Sequence, residues 1–588
     1  MLNKIRSKFI INTVFSNLKK RTKLKILKYN KNLLYKINIS MKDFEDFIIL
    51  KKYNEKFNLD IKDIDMNVLE LSDLELNNEI FEYLKAVRFN NLKALYLYCN
   101  NITDIKELEN VKYEKLEELC LKINDITDIN ILERVNFKEL IMLDLGINEI
   151  SDITILKNCN FQKLRVLELN NNKISDINVL DKTNFRELQE LNFSNNNIED
   201  INVLKSVKFE KLESLKLNNN KIQDINILEK VNFMELKFLE LNNNNISDIN
   251  ALQNSNFKKL LELRLNNNKI SDINILKKVN FKKLKVLDLG NNNISNIKVF
   301  KKCNFTKLER IVLNNNKILD INILNKVNFK KLISLNISSN IISDINVLQN
   351  CRFTKLEELK INNNKISDNN ILEKVNFNKL KILDLGFNDL SDINVLKKDK
   401  FEKLEGLDLC KCKIANIKLL EEFKFNELKY LFLGFNEIID INLLEKFNLE
   451  KFNFEKLEQL ILNNNKISDI NILQKVNFNK LKILHLGFNN ISDIKVLEKV
   501  NFKELRILVL NNNKISDIKV LEKVNFKELK ILYLNNNEIS DIEVFKKCLF
   551  PKLVFLEIDN NKIDNNENLK LIESLKPNKK HSIFNILN

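Results

Sequence analysis

Apolar residues recur along most of this chain with a period of 24 residues. One repeat holds these landmark residues: Leu260, Leu263, Leu265, Asn268, Ile270, Ser271, Asp272, Ile273, Leu276 and Phe281. The alternation of Leu263 and Leu265 predicts a short strand with both leucines pointing inward. The residues from Ile273 to Leu276 predict one or two turns of α or 3₁₀ helix. Because one repeat cannot bury its apolar side alone, the pattern predicts a stack of repeats.

A polar residue marks the end of each predicted strand. Twenty repeats place it at positions 100, 124, 148, 172, 196, 220, 244, 268, 292, 316, 340, 364, 388, 412, 436, 465, 489, 513, 537 and 561. Nineteen of these positions hold Asn and the other holds Cys412. A carboxamide both donates and accepts hydrogen bonds, so we expect it to bond the backbone of the turn that leaves the strand.

The motif L-x-x-L-x-L-x-x-N/C-x-I/L resembles the leucine-rich-repeat superfamily, over about residues 89–575. The I-x-D-I segment resembles the short-repeat class of phosphatase-regulator proteins and internalins. Repeats in that class have about 22 residues, so the unit of 24 departs from it. The resemblance implies an α/β solenoid. It would be a horseshoe with a parallel β-sheet on the concave face and short helical or 3₁₀ turns on the convex face.

Two further repeat positions carry side chains with open chemical interpretations. Asp of the Ser-Asp-Ile segment stands in seventeen of twenty repeats, and Asn replaces it at positions 296, 416 and 565. We interpret it as an N-cap; the alternative is a row of carboxylates that binds Ca²⁺ or a basic partner. An aromatic position runs from Phe89 and Tyr113 to Phe550, in phase with the core leucines. We expect it to be core rather than a base-stacking or cofactor surface.

The repeat boundaries divide the chain into four segments. Residues 1–40 form a basic helical segment, residues 41–88 an N-terminal cap with a degenerate repeat, residues 89–565 the array, and residues 566–588 a C-terminal capping helix and tail. The spacing from Asn436 to Asn465 is 29 residues because 446–450 and 451–455 are a tandem copy. We expect a local bulge on the convex side there.

Residues 5–37 resemble an F-box, with an apolar segment ending in Phe-Ser-Asn-Leu, a polar turn and a second apolar segment. This resemblance implies that an Skp-type adaptor docks on Ile10, Val14, Leu18, Leu24 and Leu27. The usual Leu-Pro opening and the following Trp are absent. The alternative interpretation is a helical cap that packs on the solenoid.

Charge and cysteine usage narrow the function classes. Residues 1–36 contain eleven Lys and Arg and no Asp or Glu. The whole chain has a formal net charge of +16, and the remaining residues have about +5. The repeats carry no basic stripe, so the sequence does not predict nucleic-acid binding. The eight cysteines show neither a disulfide framework nor metal-ligand spacing, so we expect reduced thiols and a cytoplasmic or nuclear protein. We expect no membrane span, metal or cofactor.

The residues flanking the strand leucines predict a binding surface. From residue 430 onward they turn from mixed charge to apolar and aromatic. The candidate surface comprises Tyr430, Phe432, Phe435, Ile461, Ile483, His485, Phe488, Val509, Tyr533 and Phe555. A large exposed apolar patch is typical of a contact site, whereas the alternative is that β-forming residues simply fill strands.

No arrangement of residues predicts catalysis, because the two histidines, His485 and His581, are far apart and the six glycines form no phosphate loop. We therefore expect a protein-interaction scaffold that binds a partner on the concave face. The alternatives are an F-box-type substrate receptor of a ubiquitin ligase, a phosphatase-type regulatory subunit, and a secreted adhesin like the internalins.

Overall fold

The computed structural model describes residues 41–61, 66–87, 89, 91–111, 113–367, 375, 377–391, 401–417, 426–445 and 454–563. The chain consists of two compact units. The N-terminal unit extends to Asn268 and includes Val279–Phe281; the C-terminal unit holds Lys269–Lys278 and the residues from Lys282 onward. The predicted segments 1–40 and 566–588, including the F-box-like residues, lie outside the described residues.

Parallel strands of three residues build the N-terminal unit. Its described strands are β1 (Val68–Glu70), β2 (Ala94–Tyr96), β3 (Glu118–Cys120), β4 (Met142–Asp144), β5 (Val166–Glu168), β6 (Glu190–Asn192), β7 (Ser214–Lys216), β8 (Phe238–Glu240) and β9 (Glu262–Arg264). Each strand pairs with the next without a register shift, so equivalent residues of successive repeats are neighbours.

Two α-helices flank β1 in this unit, α1 (Met41–Lys56) and α2 (Ile80–Ala86). The sequence assigned residues 41–88 to a cap with a degenerate repeat, and in the structure β1 of this segment pairs with β2. The described 3₁₀ helices of the unit are Asn77–Glu79, Lys106–Asn110, Asn130–Glu133, Thr154–Asn158, Asn178–Lys182, Asn202–Lys205, Asn226–Glu229 and Asn250–Gln253.

The C-terminal unit repeats the same plan. Its described strands are β10 (Val286–Asp288), β11 (Arg310–Val312), β12 (Ser334–Asn336), β13 (Glu358–Lys360), β14 (Ile382–Asp384), β15 (Gly406–Asp408), β16 (Tyr430–Phe432), β17 (Gln459–Ile461), β18 (Ile483–His485), β19 (Ile507–Val509), β20 (Ile531–Tyr533) and β21 (Phe555–Glu557). Its described 3₁₀ helices are Asn274–Lys277, Lys298–Lys302, Asn322–Lys326, Asn346–Asn350, Asn442–Glu445, Phe454–Lys456, Asn471–Gln474, Lys495–Glu498, Lys519–Glu522 and Glu543–Lys546.

The core of each unit is the stack of repeat leucines, isoleucines and aromatic rings. Leu263 and Leu287, for example, are fully buried, and Phe281 is almost so. Among the described residues, the aromatic position predicted to be core is buried from Phe89 to Phe526, while Phe550 is half-buried. The parallel strands and the 3₁₀ turns of the described repeats confirm the predicted α/β solenoid fold.

The repeat asparagine links successive repeats through its carboxamide. Asn268 Nδ2 donates to the carbonyls of Leu241 and Leu265, both at 3.0 Å, and Oδ1 accepts the N–H of Ile246 at 3.0 Å. One buried side chain therefore satisfies backbone groups of its own repeat and of the preceding one. At Cys412 the thiol donates to the Leu385 carbonyl at 3.4 Å, in place of the amide.

The repeat aspartate bonds the first backbone N–H of the 3₁₀ helix from one residue before the N-cap position, which Ile273 holds in the repeat of Asp272. Asp272 Oδ1 accepts the N–H of Asn274 at 2.8 Å, and Asn296 does the same for Lys298 at 2.9 Å. Asn can replace Asp because the cap needs an oxygen acceptor and no charge. Within the described residues, no cluster of three or more metal-ligating side chains occurs.

The 29-residue repeat leaves strand pairing unchanged. Tyr430, Leu431 and Phe432 of β16 face Gln459, Leu460 and Ile461 of β17 in register. Residues 446–453 of the insertion lie outside the described residues, so the predicted bulge stays a prediction.

All eight cysteines are free; Cys548 is half-buried, whereas the equivalent Cys159, Cys303 and Cys351 are buried.

Candidate functional site

Outward-facing strand residues of the C-terminal unit bring the predicted surface together. Register pairing places Phe432, Ile461, His485, Val509 and Tyr533 in one row across β16 to β20. A second row across β16 to β21 holds Tyr430, Gln459, Ile483, Ile507, Ile531 and Phe555. Neighbouring strands lie about 4.8 Å apart, so the side chains within each row are in contact distance. We call these two rows the apolar strip.

The apolar strip is half-buried rather than fully exposed. Tyr430, Phe432, Ile461, Ile483 and Phe555 are all partly accessible. Val509 departs from the prediction, since only 9% of its surface is accessible. Its short side chain lies between the longer His485 and Tyr533, which are its neighbours in the row. At this point of the strip, a partner would therefore contact His485 and Tyr533 rather than Val509.

His485 is a neutral member of the apolar strip. Burial lowers the pKa of its imidazole below the usual value, so the ring is uncharged at pH 7. Its Nδ1 accepts the backbone N–H of Gly487 at 3.2 Å. The ring therefore adds flat, weakly polar surface to the strip and carries no charge that a partner would have to desolvate.

Three phenylalanines form an aromatic edge beside the strand face. Phe387, Phe435 and Phe488 each directly precede the repeat Asn or its equivalent, and they have φ of 57°, 58° and 56°. Phe435 is 51% exposed, and the other two are similarly accessible. Most repeats hold Asn at this position, which tolerates left-handed backbone better than a bulky residue does. The sequence predicted Phe435 and Phe488 but missed Phe387, although all three share the signal Leu-Gly-Phe-Asn.

A pocket of about 380 Å³ adjoins the apolar strip where β14, β15 and β16 meet. Its lining includes Asp384, Gly406, Asp408, Tyr430 and Phe432. Burial raises the pKa of Asp384 to about 6, and the charge of Asp408 adds to the shift. In the sequence, both aspartates precede residue 430 and so belong to the mixed-charge part of the strand face, and no role was predicted for Gly406. The pocket therefore combines two carboxylates with two aromatic rings.

Lysine and glutamate side chains pair between successive repeats at a position just before the strands. Lys429 Nζ lies 2.7 Å from a Glu405 carboxylate oxygen, and Lys482 Nζ lies 2.8 Å from one of Glu458. The same pair occurs in the N-terminal unit between Lys237 and Glu213, at 2.6 Å. Such partly exposed pairs contribute little stability each, but they balance basic charge locally along the repeats.

Comparison with known families and structures agrees with this architecture. The family model described as leucine-rich repeats (2 copies) matches residues 162–206, 186–230, 258–302, 479–523 and 503–547. Comparison with curated proteins finds no match. The matched stretches are therefore leucine-rich repeats, and the other described repeats share their motif and their parallel strands.

One solved structure shows the same fold at low sequence identity, and two further solved structures are similar to this chain. A plant peptide hormone receptor, RGFR1 in complex with RGF2, is 20% identical with a TM-score of 0.52; the match covers 86% of this chain and 78% of the receptor chain. An internalin of Listeria monocytogenes, InlF, is 27% identical over 64% of this chain and 87% of its own, with a TM-score of 0.38. A leucine-rich-repeat protein of Leptospira interrogans is 19% identical over 92% and 98%, with a TM-score of 0.39.

A membrane-spanning helix would need about 20 largely apolar residues. In the part of the chain that the structure describes, no helix meets that requirement.

Proposed function

We propose that this protein is an interaction scaffold whose C-terminal unit binds a partner protein on the apolar strip and the aromatic edge. The observation that carries this proposal is the alignment of aromatic and aliphatic side chains in adjacent rows over six strands. Leucine-rich-repeat folds are associated with protein interaction and with non-catalytic scaffolds. A contiguous, partly accessible apolar surface is typical of a contact site.

The aromatic edge supports this proposal independently. Phenylalanine at left-handed φ costs free energy that Asn at the same repeat position largely avoids. Each ring also stays exposed, so folding gains little from its burial. Buried contact with a partner would recover that cost, and aromatic residues are enriched where interfaces are most sensitive to substitution.

The test is affinity capture from host cells with two matched double variants. Phe432→Asp with Tyr533→Asp places two charges in the apolar strip. The control, Leu319→Asp with Ile439→Asp, places two charges at exposed positions outside the strand face, where Glu199 stands in the N-terminal unit. We expect the strip variant to lose partners that the wild type and the control retain. Equal recovery by the strip variant, with unchanged circular dichroism, would overturn the proposal.

The more specific roles depend on segments outside the described residues or on the partner. A ubiquitin-ligase receptor would need residues 5–37 to dock an Skp-type adaptor, so deletion of residues 1–40 should remove adaptor and cullin from the captured proteins. Unchanged capture would assign that segment to a cap or tail. A phosphatase-type regulator would instead retain a phosphatase catalytic subunit in both samples. The free thiols support a reducing compartment, the cytoplasm or nucleus.

A further inference from the structure

A single glycine lies in the strand face at β15, with the Ile382 side chain packed over it. Gly406 is the only glycine within the described strands. It stands in the row between Ile382 of β14 and Tyr430 of β16. A Cβ atom at this position would lie 2.9 Å from Ile382 Cδ1 and 3.6 Å from Tyr430 Cδ2. Glycine inside a strand weakens it and often marks close approach by a ligand or another chain.

Two carboxylates lie beside this glycine. Asp384 and Asp408 are register partners on β14 and β15. Asp384 Oδ1 accepts the N–H of Gly386 at 3.2 Å, and Asp408 Oδ1 accepts the N–H of Cys410 at 2.8 Å. These bonds fix one oxygen of each side chain, and the Cys410 thiol also hydrogen-bonds the Asp408 carboxylate.

Cations near the pocket are engaged elsewhere. Lys360, on the neighbouring strand β13, pairs with Glu358 at 2.6 Å. Lys411 lies over the ring of Phe387, 5.4 Å from its centroid. Among the described residues, neither Asp384 nor Asp408 has a Lys or Arg partner within 4.0 Å. Lys360 also lines the pocket and its charge lowers the pKa of Asp384, but burial outweighs that effect and the pKa stays raised.

Aromatic rings form the opposite side of the pocket. Tyr430 is the register partner of Gly406, and Phe432 is that of Asp408. The volume of about 380 Å³ is at the small end of ligand sites and suits one long side chain. A guanidinium group has flat faces that stack on aromatic rings and a donor fork that matches carboxylates. A lysine ammonium lacks both features.

We propose that the pocket formed by Asp384, Gly406, Asp408, Tyr430 and Phe432 binds an arginine side chain of the partner protein. This inference rests on the proposed function, because the pocket adjoins the apolar strip at β16. The guanidinium donates to the carboxylates of Asp384 and Asp408 and stacks on the two rings. Residues flanking the arginine in the partner then lie along the apolar strip.

The test selects displayed random 12-residue peptides on the purified full chain and measures the affinity of a selected peptide. We expect selection of peptides with an arginine and apolar neighbours. Replacing that arginine by citrulline, which keeps the shape and removes the charge, should weaken binding at least 30-fold. Replacement by lysine, which keeps the charge but loses the donor fork, should weaken binding about tenfold. A tenfold change corresponds to about 1.4 kcal/mol.

Three protein variants locate the effect. Asp384→Asn with Asp408→Asn should weaken the arginine peptide at least tenfold and leave the citrulline peptide unchanged. Gly406→Val adds a side chain between Ile382 and Tyr430, using the residue that β5 and β10 carry at the same row position, and it should also weaken binding at least tenfold. The matched control is Asp144→Asn with Glu168→Gln, a register pair of carboxylates on the N-terminal unit, which should bind as the wild type does.

Each contrary result has a separate meaning. Selected peptides without arginine, or lysine peptides that bind equally well, would overturn the arginine assignment and leave the proposed strip intact. Arginine-dependent binding that survives both pocket variants would also overturn it. Failure to select any peptide would overturn this inference, while the proposed function is decided separately by capture with the strip variant.

Discussion

Asp384 on β14 and Asp408 on β15 face the same side as register partners, so two carboxylates stand one strand spacing apart on the strand face. Burial and the neighbouring charge raise the pKa of Asp384 to about 6 from an ordinary value of 3.8. The folded protein therefore binds this proton more tightly than the unfolded chain does. At pH 7.5 the charged form opposes folding, and this cost disappears as the pH falls from 6 to 4.

Asp384→Asn should accordingly stabilise the C-terminal unit at pH 7.5. We expect about 1 to 2 kcal/mol, after discounting the full shift because the side chain is partly solvated. The gain should shrink through pH 6 and vanish near pH 4, as measured by urea unfolding. Asp272→Asn, whose cap oxygen Asn supplies as at Asn296, is the control and should change stability by less than about 0.5 kcal/mol. A pH-independent gain would contradict the pKa assignment.

Exchange of the aromatic edge for Asn should separate stability from binding. Phe387→Asn, Phe435→Asn and Phe488→Asn together relieve three left-handed aromatic residues, and each should stabilise the fold by about 0.5 to 1 kcal/mol. The same triple variant should lose captured partner protein. Urea midpoints and capture yields measure the two effects.

The N-terminal unit offers a matched control for this variant. Ile123 and Ile147 also have left-handed φ, of 55° and 53°, and both are exposed. Their replacement by Asn should stabilise the protein in the same way without reducing capture. If the isoleucine variant loses the partner as well, the aromatic edge is not the specific contact.

Removal of a repeat asparagine should weaken two repeats at once. Asn268→Ala deletes two buried donated bonds, a longer part-buried one to the Asn266 carbonyl, and the buried acceptor for the Ile246 N–H. Leaving buried backbone groups unpaired costs about 1 to 3 kcal/mol each, so we expect a loss of about 3 kcal/mol or more. Hydrogen exchange at Ile246 should accelerate. Asn268→Cys should lose less, because the Cys412 thiol makes one of the equivalent bonds; equal losses would contradict this role.

Buried thiols should resist alkylation in the folded protein. Burial raises the pKa of Cys159, Cys303 and Cys351 to about 12, so the reactive thiolate is scarce at pH 8. We expect iodoacetamide to modify these three only after urea is added, as read by peptide mass spectrometry. Rapid native labelling at these positions would show that the repeats open locally.

The repeat pattern was sufficient to predict the fold because each landmark residue has one environment. Leu263 and Leu265 are buried because strand side chains alternate, and Asn268 is buried because its bonds require it. The candidate surface was predicted less completely. Register follows from the period, but accessibility depends on neighbouring side-chain lengths, as at Val509. The sequence alone does not single out Gly406, because its role depends on Asp384, Tyr430 and Phe432 of the neighbouring strands.

Site-specific photocrosslinking tests the central claim most directly, because it captures a partner of any identity at a chosen position. A benzophenone amino acid replaces Phe435, which is 51% exposed on the aromatic edge, or Leu319, which is 57% exposed outside the strand face. Irradiation in host cells should give a discrete covalent adduct from position 435 and none from position 319. Equal adducts from both positions, or an adduct from position 319 alone, would contradict binding through the strand face of the C-terminal unit.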